Sequence, residues 1–191
     1  MYPIQKSLLL DKNHAAFENF QLLEENLTPS SSSLFLYKNA FSKIKLIQEI
    51  ASKQKLPILY IDLDFLFSGY MKSQLLEISN LSLFNTVEVN IEQILPKILT
   101  KISTEPHLVI FDSMNGLYNN LSNDADSGRI VNSILMLLTQ NCTFSKSILA
   151  IFALADKKEN NWILPNGRHI LENENMKKFF ISDRSKITIE K

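Results

Sequence analysis

One run of residues narrows the possible folds of this chain more than any other: Pro106 to Gly116, PHLVIFDSMNG. Leu108 to Phe111 are apolar, and Asp112 and Ser113 follow at once. A short apolar run closed by polar residues suits a strand buried on both faces, as in a parallel sheet covered by helices. A carboxylate at the carboxyl end of such a strand faces the crevice where open α/β sheets bind ligands.

Other segments repeat the pattern. Leu34 to Tyr37, Pro57 to Asp64 (PILYIDLD) and Ser147 to Leu154 (SILAIFAL) are short apolar runs, and Leu83 to Val89 alternates as a strand does. Between them lie helical spacings. After a polar turn from Lys38 to Ser42, Phe41, Ile44, Ile47, Ile50 and Ala51 mark a helix to about Gln54. Ile91, Ile94, Leu95, Ile98, Leu99 and Ile102 mark a second, with Asn90 and Gln93 placed as a capping box and Pro96 expected to bend it. Ile130, Ile134, Leu137 and Leu138 mark a third. A short helix is expected around Gln74 to Ile78, and a polar loop, NNLSNDADSG, after the central strand. KKFFIS, DRS and KITIE close the chain as an antiparallel hairpin at a sheet edge. The alternation predicts an α/β fold of three layers, a mostly parallel sheet between helices. The strands Leu34–Tyr37 and Leu108–Phe111 are expected side by side in it.

At 191 residues the chain suits one core domain, 29–191, preceded by an N-terminal arm or helix, 1–28, which Pro29 and the serines 30 to 33 set apart. The net charge is zero, so no overall field draws in nucleic acid or anionic lipid. The single Cys142 excludes an intramolecular disulfide and a multi-cysteine metal site, and His14, His107 and His169 lie far apart. No apolar run reaches the roughly 18 residues of a membrane span. A soluble intracellular protein, cytoplasmic or nuclear, is expected.

The order of these segments resembles that of RecA-type P-loop ATPases, in the style of the RadA and KaiC-like branches. LFLYKNAFSKIKLIQEIA is similar to their phosphate-loop strand, loop and helix. YIDLD resembles the strand that carries a catalytic glutamate, HLVIFDSMNGLY the Walker B strand, and LPNGRHILENENMKKFFISDRSKITIEK the closing region. The resemblance implies a RecA-like fold, a nucleotide site at Lys43, Asp64 and Asp112, and association through an N-terminal segment and a sheet edge.

The departures bear on activity. A phosphate loop reads G-x-x-x-x-G-K-[ST], its glycines letting backbone N–H groups wrap the phosphates. Tyr37 and Ser42 stand at the two glycine positions here. Lys43 matches the lysine, but Ile44 replaces the metal-binding hydroxyl and cannot ligate Mg²⁺. Asp64 stands for the glutamate, one methylene shorter, and Ala153, Leu154 and Ala155 replace the polar sensor. The nucleotide site therefore reads as vestigial, with no cofactor expected. The expectation is a non-catalytic RecA-fold accessory protein, a paralogue partner of a RecA-family protein in DNA recombination or repair. The alternatives are a weak ATP-binding ATPase using Lys43, Asp64 and Asp112, or a structural subunit of an Elongator-type ring.

Two basic groupings add nucleic-acid candidates. Lys38, Lys43, Lys45, Lys53 and Lys55 surround one predicted helix, where a solvated face is the commoner outcome. Lys157, Lys158, Trp162 and Arg168 combine charge with a stackable indole, as single-strand binders do, but Asp156 and Glu159 oppose this.

Overall fold

A computed structural model of the protein describes residues 17–86, 90–122, 124–158, 161–165, 168, 170, 175–182 and 186–189. Nine strands and six helices are found among them. The strands are β1 (Ser32–Tyr37), β2 (Ile58–Asp62), β3 (Leu81–Asn85), β4 (Leu108–Asp112), β5 (Ile148–Leu154), β6 (Asp156–Lys158), β7 (Asn161–Ile163), β8 (Met176–Ile181) and β9 (Ile187–Ile189). The helices are α1 (Phe20–Glu24), α2 (Ala40–Lys53), α3 (Leu66–Lys72), α4 (Ile91–Thr104), α5 (Met114–Asn120) and α6 (Ser127–Phe144).

Seven strands form one sheet in the order β3-β2-β4-β5-β1-β8-β9. All neighbours are parallel except β8 and β9, which pair antiparallel at the edge. The α/β architecture with its terminal hairpin is thus as the sequence predicts. One neighbour relation differs: β1 and β4 share the sheet, but β5 stands between them, pairing parallel with both. The last strand of the alternating series has inserted between the two instead of adding outside them.

Strand parity explains the core. Phe35, Tyr60, Ile110 and Phe152 point to one face and meet α1, α2 and α3. Leu36, Ile61, Val109 and Ile151 point to the other and meet α4, α5 and α6. Phe35 stacks between Phe152 and Phe179, tying β5, β1 and β8 together. Within the N-terminal arm, Phe17, Phe20, Leu23 and Leu27 are buried in the first of these clusters, while residues 1–16 lie outside the described residues.

Several local expectations shift. The turn after β1 is only Lys38 and Asn39, because Asn39 accepts from the Phe41 N–H and starts the helix early. The helix expected at 74–78 lies instead at Leu66–Lys72. β3 occupies Leu81–Asn85 and not 83–89, of which 87–89 are not described. Asn90 caps α4 through the Gln93 N–H, and the helix continues through Pro96. The expected loop after β4 begins with a helix, α5, whose N-cap Ser113 accepts from the Gly116 N–H. The long polar connection after β5 contains the hairpin β6–β7.

Candidate functional site: a buried lysine–carboxylate cluster

Parity also assembles the site. Tyr37, Tyr60, Asp62 and Asp112 continue the rows of Phe35, Ile58 and Ile110, so all four emerge on the face that α2 covers. Lys43 lies in the first turns of α2, with neighbours Ile44 and Ile47 packed into the core. Its side chain therefore points inward, over the carboxyl ends of the strands.

Lys43 is fully buried. Its Nζ donates to Asp112 Oδ1 at 2.7 Å and Oδ2 at 2.9 Å, and to Asp64 Oδ2 at 3.0 Å. The Tyr60 hydroxyl donates to Asp112 Oδ2. The Tyr37 ring centroid is 5.2 Å from the ammonium, within cation–π range. Asp62 accepts from the Ser68 N–H and hydroxyl through Oδ2, while its buried Oδ1 has no partner among the described residues. Asp64, a quarter exposed, also accepts from the Leu66 N–H at the start of α3.

The electrostatics follow from burial and pairing. Burial works against a charged ammonium at Lys43, but the Asp112 carboxylate, with Tyr37 and Asp64, outweighs it and holds the pKa above the usual lysine value. Burial pushes the Asp112 carboxyl up to about 6 against the pull of Lys43. Burial also raises Asp62, and takes the Tyr37 phenol up to about 12. Near neutral pH the Lys43–Asp112 pair is ionised.

The three residues expected at a nucleotide site thus do converge. One carboxylate oxygen from each of Asp62, Asp64 and Asp112 lies within 4.8 Å of the others, a spacing that suits a cation. Yet the lysine's hydrogen bonds already go to the carboxylates. The backbone beside it is the start of a helix, in which the Lys43 N–H donates to Asn39 O and not outward. Tyr60, Tyr37 and Asp62 escaped the sequence reading as site residues. The signal was present in the spacing: Tyr60 is two residues before Asp62, on the same side of the strand.

A second set of contacts holds the crevice rim. Asn115 on α5 accepts from the Leu154 N–H at 2.7 Å and donates to its carbonyl. Arg168, a nucleic-acid candidate, donates to Asn119 Oδ1 at 2.7 Å and lies over the Tyr118 ring. Trp162 is half-buried and stacked on Phe180. Arg168 and Trp162 are therefore engaged within the molecule. Lys157 and Lys158 have backbone positions in β6, opposite Trp162 and Asn161, and their side chains lie outside the described residues. Of the lysines around α2, Lys43 is buried, Lys45 lies over Phe17, and Lys53 lies near Glu24 and Glu49 and over Phe20, so these do not form an open basic face.

Known structures resemble the fold of this chain. A DnaB-like replicative helicase, solved in a study of its interactions with primase, aligns with a TM-score of 0.57 at 11% identity, over 81% of this chain and 47% of its own. This chain thus spans about half the helicase's length. A protein of Pyrococcus horikoshii aligns with a TM-score of 0.58 at 14% identity, over 88% of this chain and 90% of its own. A KaiC-like protein from the same archaeon aligns with a TM-score of 0.46 at 12% identity, over 92% and 97%. No protein-family model and no curated protein sequence matches the chain. The fold is RecA-like. No described helix is long and apolar enough to cross a membrane.

Proposed function

We propose that this is a non-catalytic RecA-fold protein that acts as a binding module, pairing with a RecA-family protein in DNA recombination or repair. One observation carries the non-catalytic part. The lysine placed to grip a phosphate is buried and bonded to Asp112 and Asp64 at 2.7–3.0 Å. A triphosphate at that position would have to displace both carboxylates and would find a helix where a phosphate loop is needed. Ile44 offers no hydroxyl to a metal, and Ala153 and Ala155 offer no polar contact at the end of β5. The partner and pathway rest on the fold and on the resemblance in segment order.

Two experiments separate the parts of this reading. Titration calorimetry with Mg-ATP tests the nucleotide site. Co-purification with RecA-family proteins, together with a gel shift on single-stranded DNA at stated salt, tests the context. Recovery of no RecA-fold partner, with no DNA retardation, would remove recombination and leave the Elongator-type structural role. A second reading, a weak ATP-binding ATPase, is favoured by the convergence of Lys43, Asp64 and Asp112 itself. It requires saturable Mg-ATP binding that Lys43→Ala abolishes.

A further inference from the structure

Helix α6 packs on the sheet through Val131, Ile134, Leu135, Leu138 and Cys142. Its outer face differs from those of the other long helices. An outward helix face ordinarily carries charge. Lys53 on α2 and Glu92 and Lys97 on α4 follow that rule. From Ile130 to Phe144, however, the chain has no Asp, Glu, Lys or Arg. Instead, Met136 is 61% exposed, Leu137 46% and Phe144 84%. Polar side chains of the same stretch turn back onto their own helix. Ser133 donates to Arg129 O, Asn141 to Leu137 O and Thr143 to Thr139 O. Those donors are already satisfied, which lowers the cost of taking this face out of water.

The outer face also reads alike in both directions. Its exposed residues Arg129, Ser133, Met136, Leu137, Gln140 and Phe144 are spaced by four, three, one, three and four positions. Two such helices laid antiparallel about a two-fold axis place Met136 against Leu137 of a second copy, Ser133 against Gln140, and Arg129 against Phe144. Apolar side chains then meet at the axis, and a guanidinium meets an exposed ring at each end. Asp126, one turn before Arg129, falls within a residue of Lys146 of the second copy, so opposite charges meet beyond the ring. A parallel arrangement would set Arg129 against Arg129 and align the two helix dipoles. Nucleic acid or an anionic membrane would find no cation between Ile130 and Phe144.

We propose that α6 is a self-association surface, on which a second copy of this chain seats antiparallel through Met136, Leu137 and Phe144. The 18-residue helix offers a strip about 27 Å long and about 10 Å wide. That is well short of the roughly 800 Å² per partner of a standard stable complex, so the dimer is weak and depends on concentration. α6 and α2, the helix that carries Lys43, pack on opposite faces of the sheet. The inference therefore stands whether or not the crevice binds nucleotide.

Sedimentation velocity of the full chain across concentration tests it. The wild-type mass is expected to move from monomer toward dimer between micromolar and submillimolar protein. Leu137→Glu, and separately Met136→Lys, is expected to weaken association at least about tenfold, because each buries an unpaired charge at the axis. Both positions face water in the monomer, so the far-UV circular dichroism of each variant should match the wild type. An equimolar mixture of the two variants is expected to dimerise again, since the introduced carboxylate then meets the introduced ammonium. A wild type that stays monomeric at submillimolar concentration would overturn the proposal. So would dimerisation that neither variant weakens, which places the contact elsewhere, or a mixture that fails to recover, which rules out the antiparallel register.

Discussion

On the proposed reading Lys43 decides what the crevice can do, because the three N–H donors of its ammonium go to Asp112 and Asp64. Its removal tests how far the cluster depends on it. Lys43→Met leaves Asp112 buried without its counter-charge, and the loss is expected to be about 3–5 kcal/mol in urea unfolding. A loss below about 0.5 kcal/mol, the size of an ordinary surface substitution, would mean that Asp112 is hydrated in solution. The titrations give a second test. Where a folded-state pKa exceeds the unfolded one, the group's stabilising contribution is complete below the unfolded value and lost as the pH rises through the folded value. For Tyr37 that window runs from about pH 10, the free phenol, to about 12. The urea midpoint is expected to fall across it, and Tyr37→Phe to flatten the fall. For Asp112 the window runs from about pH 4 to about 6. The stability gap between wild type and Asp112→Asn is therefore expected to widen in favour of the wild type on acidification from neutrality. A gap that narrows would mean that the pull of Lys43 outweighs burial and holds the Asp112 carboxyl below its free value.

At the scale of elements, α5 is held against the turn after β2 so closely that Gly116 leaves no room for a side chain. A Cβ there would lie 2.6 Å from the carbonyl carbon and oxygen of Leu63. Gly116→Ala is expected to cost about 1–3 kcal/mol. Gly69, inside α3, has nothing within 4 Å of its Cβ position. Gly69→Ala is expected to stabilise by roughly 0.5–1 kcal/mol, the ordinary helix preference for alanine. Thermal melts of the two variants should therefore move in opposite directions. The elements also show what could be read from sequence. β1, β2, β4 and β5 were legible because burial on both faces makes each strand a continuous apolar run. α4 was legible from its stripe and its Asn90 cap. α5 was not, because Asn119 and Asn120 read as the start of a polar loop, while in the fold Asn115 bonds to the backbone of β5 and Asn119 to Arg168. The closed turn at Lys38 and Asn39 was hidden because resemblance to a phosphate loop suggests an open one. The convergence of Lys43, Asp64 and Asp112 was legible through that same resemblance. Their bonding to one another was not, since no sequence pattern states which partner a buried lysine takes.

The whole molecule depends on a sheet whose far strands come last in the chain. β8 lies parallel to β1, with Phe179 opposite Phe35 in register. Phe179→Ala opens the aromatic stack beside β1 and is expected to cost about 3–5 kcal/mol, read as a lower urea midpoint with an unchanged slope. A loss below about 1 kcal/mol would show that β8 is peripheral to the fold's stability. The same sheet carries the crevice, and on the proposed reading an internal ion cluster at the ends of β2 and β4 stands in place of a bound triphosphate. Titration calorimetry of the wild-type protein with Mg-ATP tests this directly. No saturable heat is expected at millimolar nucleotide. Micromolar binding that disappears in Lys43→Ala would contradict it.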